Sequence, residues 1–242
     1  MQRTTIAVGL LNAVSILILS GPSASAQTVA IVSTNRGWYT ETGIHLDGTN
    51  YITGDHHSTG CSPCQSDFRS YFVFDLTNYP VPFASAKLAL NEPATGYKSP
   101  DPSETYELHD VTTPISTLTF GGGVAAHTDL GTGIVYGSRV INSTEVGTLE
   151  INLNPAAIAA LNSARGGFFA IGGSLTTLDN IQNEERIFAA TQDPPIVAEL
   201  RVTLVPEPAT LLFAAVFAGS LYMRRPPRRA ALANRHFTNT KL

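Results

Sequence analysis

The sequence predicts an all-β domain, a single antiparallel β-sandwich with one short crossover helix, held between an N-terminal signal peptide and a C-terminal transmembrane helix. Three observations carry this expectation. The middle of the chain is built of short runs in which apolar and polar residues alternate between Gly, Pro, Asn and Asp, and a period of two marks strands with one buried face. No long stretch there repeats at the helical period. The two ends carry continuous apolar segments instead, at residues 6–19 and 209–223.

The first element is the export signal. Arg3 stands in a short polar region, residues 6–19 are apolar, and Ala24-Ser25-Ala26 offers the small residues that a signal peptidase accepts before Gln27. Gly21 and Pro22 break the helix ahead of the cleavage point, where extended chain is needed. The expected mature chain begins at Gln27, so the domains read as 1–26 signal peptide, 27–204 ectodomain, 205–229 sorting tail and 230–242 cytoplasmic extension.

Strands follow. The clearest covers 69–76, Arg-Ser-Tyr-Phe-Val-Phe-Asp-Leu, with Phe72, Phe74 and Leu76 on one side and Tyr71, Val73 and Asp75 on the other. After a turn at Pro80 and Pro82, residues 86–90 place Leu88 and Leu90 on one face. Further strands are expected at 106–111, 133–140, 148–153, 168–171, 186–189 and 197–204. In the last, Ala198, Leu200, Val202 and Leu204 alternate with Glu199, Arg201 and Thr203, as in a sheet wetted on one face. One helix interrupts them: Asn154 can cap it, Pro155 suits its first position, 156–164 are good formers, Ile158 and Leu161 share a face, and Gly166-Gly167 ends it.

The chain then runs through Val205-Pro206-Glu207-Pro208 into the apolar stretch 209–223 and on to Arg224, Arg225, Arg228 and Arg229. A helix over that stretch rises about 22 Å, short against a hydrocarbon core of about 30 Å, and Tyr222 and Arg224 can extend it by snorkelling. The arginines would remain cytoplasmic and the ectodomain outside.

Charge is divided unevenly. Residues 27–205 hold eight Lys and Arg against eighteen Asp and Glu, a net charge of −10, while the whole chain carries −4. An acidic domain lacks the clustered cations that phosphate binding demands, so nucleic acid is excluded as a partner and cations or neutral glycans fit better.

The order Val205-Pro206-Glu207-Pro208-Ala209-Thr210, apolar helix, arginine cluster closely resembles the PEP-CTERM sorting domain of Gram-negative bacteria. The resemblance covers about the last tenth of the chain and implies processing by exosortase, a membrane cysteine protease, near Pro206-Glu207-Pro208, after an inner-membrane-anchored precursor has been exported towards the cell surface or medium. The chain departs from the family by continuing from Pro226 to Leu242. A second block, the strand at 69–76 followed by Ala84-Ser85-Ala86-Lys87-Leu88-Ala89-Leu90, is similar to exported β-sandwich modules of the DNRLRE type and to carbohydrate-binding jelly rolls, which implies a jelly-roll-like sandwich. Fold alone assigns no function.

Chemistry-bearing residues gather in two places. Asp55-His56-His57 leads to Cys61 and Cys64, with His45 and Asp47 upstream. In an oxidising compartment two thiols three residues apart form a loop-stapling disulfide, and the competing reading sets both thiolates with His56 or His57 around zinc. Asp101, Glu104, Glu107 and Asp110 form an acidic group whose simplest reading is a solvated, proline-stiffened loop, the alternative being a Ca²⁺ site. Trp38 and Tyr39 serve either as core anchors or as a platform for stacking sugars. Gly121-Gly122-Gly123 reads as a flexible turn, since no Lys-Ser or Lys-Thr follows it.

No Gly-x-Ser-x-Gly elbow and no His-Glu-x-x-His helix occurs, so the sequence offers no catalytic residue and no required cofactor. The expectation is a non-enzymatic surface or extracellular-matrix protein associated with exopolysaccharide, with signal peptidase and exosortase as its processing enzymes. A glycan-binding module and a polysaccharide-acting hydrolase are the alternatives.

Overall fold

A computed structural model describes residues 26–48, 50–56, 66–179, 184–189 and 197–205. Residues 26–206 form one compact unit. Ala24, Ser25, His57, Cys61, Cys64 and the tail from Pro206, with Glu207, Pro208, Arg224 and Arg225, lie outside the described residues, and with them the signal, disulfide and transmembrane expectations. Among the described residues no helix is long and apolar enough to cross a membrane.

The described chain holds twelve strands: β1 (Thr28–Val32), β2 (Asn35–Thr40), β3 (His45–Asp47), β4 (Thr53–His56), β5 (Ser66–Asp75), β6 (Phe83–Glu92), β7 (Ser103–Asp110), β8 (Val135–Asn142), β9 (Gly147–Asn152), β10 (Phe168–Leu175), β11 (Glu184–Ile187) and β12 (Glu199–Leu204). Every pairing between them is antiparallel. A four-stranded sheet has the order β1-β12-β6-β9, and the second sheet runs β11-β4-β5-β10-β7-β8, with β2 on β5 and β3 on β2. The all-β expectation holds, and each of the eight strands read from the sequence is present.

The alternation that predicted β5 also builds the core. Phe72 and Phe74 of β5 and the following Leu76 meet Leu88 and Leu90 of β6, Leu149 and Ile151 of β9 and Leu200 and Val202 of β12. Burying each such side chain contributes roughly 1.5–3 kcal/mol. Tyr71 and Val73 point the other way into a second, smaller core with Tyr39, Leu118, Ala126, Leu130 and Ala170. This core exists because two helices absent from the sequence reading, α1 (Ile115–Phe120) and α2 (Gly123–Asp129), cover the outer face of the larger sheet. A single crossover helix is expected from the sequence; the described residues hold three helices, the expected one being α3 (Pro155–Ser163). Asn154 caps α3 by accepting from Ala157 N–H at 3.0 Å, as its position foretold.

The connections give the sandwich two distinct ends. Residues 76–82 join β5 to β6, so the end of β5 and the start of β6 lie together, and Phe83 N–H donates to Asn162 Oδ1 of α3 there at 2.9 Å. Leu204 pairs with Phe83, and its N–H donates to the Gln27 carbonyl at 2.9 Å. The chain therefore enters and leaves the sandwich side by side. At the opposite end β6 finishes at Glu92, while Ser66 of β5 faces His56 of β4, and His56 faces Glu184 of β11.

Candidate functional site

The opposite end concentrates buried acid. Its frame is the segment 93–102 between β6 and β7, zipped to β11 by reciprocal bonds in which Lys98 N–H donates to the Arg186 carbonyl at 2.8 Å and Arg186 N–H to the Lys98 carbonyl at 2.9 Å. Tyr97 Oη–H donates to the Asp101 carbonyl at 2.9 Å, and Asp101 N–H donates to Ser99 Oγ at 3.0 Å. These bonds hold Asp101 over the end of the larger sheet.

Three carboxylates converge at that segment, from half-buried Asp101, exposed Asp179 and buried Glu185. Asp101, Asp179 and Glu185 each present an oxygen, and the three oxygens lie within 4.8 Å of one another. Asp179 follows β10 and its N–H donates to Glu185 Oε2 at 3.0 Å; Glu185 is 1% exposed, and its Oε1 has no hydrogen-bond partner. Burial pushes the Glu185 carboxyl from 4.5 up to about 7, and the neighbouring carboxyl of Asp179 and the charge of Glu104 push the same way.

Glu104 is in a different state. It is fully buried on β7 beside Tyr106 and Leu108 in the strand parity, but Ser99 Oγ donates to its Oε1 at 2.6 Å and Thr177 Oγ1 donates to its Oε2. Both of its oxygens have donors. The acidic group 101–110 is therefore no solvated loop: Glu104, Glu107 and Asp110 belong to a strand, and only Asp101 joins the cluster. The sequence reading missed Asp179 and Glu185, whose one local signal is the doubled acid Glu184-Glu185 opening a strand.

A second carboxyl lies deeper. Glu92 is fully buried, accepts from Phe188 N–H through Oε2 at 3.1 Å, and leaves Oε1 without a partner, so burial lifts its pKa from 4.5 to about 8. Phe188 holds a φ of 54°, a backbone conformation that costs of order 1–3 kcal/mol in a side-chain-bearing residue. Its ring is locked between Tyr51 at 5.0 Å and Tyr106 at 5.5 Å, and that packing holds the strained backbone in place.

No protein-family model matches this chain, and no curated protein matches it. Among solved structures the chain is similar to the K1 cleaved adhesin domain of Lys-gingipain (Kgp) from Porphyromonas gingivalis W83, at 13% identity over 76% of this chain and 95% of that one, with a TM-score of 0.23. No residue role is carried over from it.

The other residues singled out in the sequence fall elsewhere. Tyr39 is fully buried under the helices, its hydroxyl donating to the Leu118 carbonyl at 2.6 Å and accepting from Gly122 N–H at 3.0 Å, so it is a core anchor with no ring face open to a sugar. Trp38 is half-buried, its Nε1–H donating to Asn50 Oδ1 at 3.0 Å and its ring meeting Phe68 edge-on at 5.1 Å. His45 stacks on Tyr39 at 4.6 Å and bonds Tyr71 Oη at 2.8 Å, and burial depresses its pKa. His56 Nδ1 pairs with Glu184 Oε1 at 2.9 Å, and Asp47 stands on the exposed strand β3. Gly121-Gly122 form the turn between α1 and α2, and Gly123 opens α2.

Among the described residues His109 makes a Ser-His-carboxylate contact, with Nε2 at 3.2 Å from Ser174 Oγ and 3.5 Å from Glu107 Oε2. A nucleophile-activating base needs its carboxylate on the other ring nitrogen, and His109 Nδ1 is buried without a partner. His109 and Ser174 are both buried, at 5% and 6% exposure.

Proposed function

We propose that this chain is an exported, non-enzymatic structural protein of the cell surface or extracellular matrix, a jelly-roll-like sandwich sorted through a PEP-CTERM tail. The observation that carries the reading is the junction at Val205: β12 ends at Leu204, and the next residues are Pro206-Glu207-Pro208, the apolar stretch and the arginines. A cut within that motif would leave every strand of the sandwich intact. At the other junction β1 starts at Thr28, so removal of 1–26 would spare the sheet as well.

Placement of both junctions at one end suits a domain released from a membrane, because the processing enzymes would work at that end while the acidic end faced away. An acidic, cation-seeking surface suits an exopolysaccharide matrix in which divalent ions bridge anionic groups. Mass spectrometry of the protein from host cells with and without their exosortase tests the reading. The expected wild-type product starts at Gln27 and ends near Pro208, and the strain lacking exosortase retains the tail. A wild-type product that keeps peptides beyond Pro208 would refute processing and leave a single-span membrane protein.

A further inference from the structure

We propose that Asp101, Asp179 and Glu185 form a calcium site that fastens the segment 93–102 to β11 and the end of β10. Each ligand comes from a different segment of chain, and their oxygens already lie within 4.8 Å of one another. Calcium holds oxygens at about 2.3–2.6 Å, so two ligands on opposite sides of the ion stand about 4.6–5.2 Å apart. The spacing of the three oxygens is of the size that one such coordination sphere spans.

Glu185 supplies an independent pointer. A carboxylate 99% removed from water is normally surrounded by donors, as Glu104 is by Ser99 and Thr177, yet Glu185 Oε1 has none. A cation at the cluster would satisfy that oxygen and offset the charge of the three acids brought together. The donor set is oxygen alone, which selects a hard cation over zinc or copper. Magnesium needs a tighter octahedron at about 2.0–2.1 Å and gives up its waters reluctantly, whereas calcium accepts an irregular cage completed by backbone carbonyls and water. The site differs from the one read in the sequence: Glu104, Glu107 and Asp110 take no part.

Titration calorimetry of the purified, chelator-stripped protein with CaCl2 tests this, together with thermal melts in EDTA and in 10 mM CaCl2. The expected result is one ion per chain with a Kd of about 10⁻⁴–10⁻³ M, typical of extracellular modules. At 10 mM that affinity shifts the folding equilibrium roughly 10- to 100-fold towards the native state, seen as a rise in Tm. Glu185→Gln and Asp101→Asn should each weaken binding at least tenfold and remove the Tm rise, while Glu150→Gln, on the smaller sheet, leaves both unchanged. Should Glu185→Gln fail to fold, Asp101→Asn, at a half-exposed residue, decides alone. Absence of calcium-dependent heat and of a melting shift would overturn the proposal, as would calcium binding that survives in the variants. An equal response to MgCl2 would overturn the choice of calcium.

Discussion

Replacing Glu92 by Gln is expected to flatten the pH dependence of this domain's stability. The Glu92 carboxyl titrates near 4.5 when exposed and at about 8 in the folded protein, where it is fully buried with one oxygen unpartnered. Below pH 4.5 both states are protonated, and the stability linked to this proton is fully present. Between the two values the unfolded chain has lost the proton that the folded chain still holds, so stability falls by about 1.4 kcal/mol for each pH unit until the folded-state value is passed. From pH 5.5 to pH 8.0 the loss assigned to Glu92 is about 3 kcal/mol, a large share of the roughly 5–15 kcal/mol that holds a domain together. Gln keeps the oxygen that accepts from Phe188 N–H and has no proton to lose in this range. Urea unfolding at both pH values, in EDTA, measures the difference. Glu185, raised to about 7, steepens the slope in both proteins, so the readout is the gap between wild type and Glu92→Gln, which should widen by about 3 kcal/mol towards pH 8. A gap that stays constant would refute the claim that Glu92 carries its proton in the folded state.

Other substitutions probe the framework. A methyl group at Gly173 would stand 2.0 Å from Tyr106 Oη, so Gly173→Ala should cost about 1–3 kcal/mol or more in chemical denaturation. Asn154→Ala removes the cap of α3 and should cost about 1 kcal/mol by the same assay. Phe72→Ala, at a fully buried site, should cost about 3–5 kcal/mol. Phe120→Ala, at a site 88% exposed, should stay within about 0.5 kcal/mol and serve as its control.

Side-chain alternation made most of the sandwich legible, and its failures have physical causes. The strand expected at 168–171 continues as β10 to Leu175, through Gly172-Gly173, which carry no side chains to show the alternation. Those glycines admit close neighbours: a Cβ at Gly172 would meet the Leu130 backbone at 2.6 Å on the helix side, and one at Gly173 would strike Tyr106 on the core side. The strands β2 to β4 are short and mix polar residues and Gly among few large apolar ones, and β1, Thr-Val-Ala-Ile-Val, is a five-residue run with no polar alternation to mark it. The helices α1 and α2 have six and seven residues and no side-chain cap, and Gly121-Gly122 separates them. The acidic site was half visible. Asp101 stood out in a run of carboxylates, but Asp179 and Glu185 lie about 80 residues further on and are brought in only by the pairing of β11 with β4 and of β10 with β7. Parity along β7 would have separated Glu104 from the solvated acids, because it shares a face with Tyr106 and Leu108, both fully buried.

The adjacency of Gln27 and Val205 sets how the molecule answers tension. Drawn apart by its two termini, the sandwich would peel open at β1 and β12, whose five paired positions separate in succession from Thr28↔Thr203 inwards. Drawn instead between Val205 and a load on the distant acidic rim, β12 is pulled along its own axis, and its ladders to both β1 and β6 resist together. The same six-residue strand is thus a zipper in one direction and a rivet in the other, and a body tugged by whatever grips its far rim meets the stronger of the two.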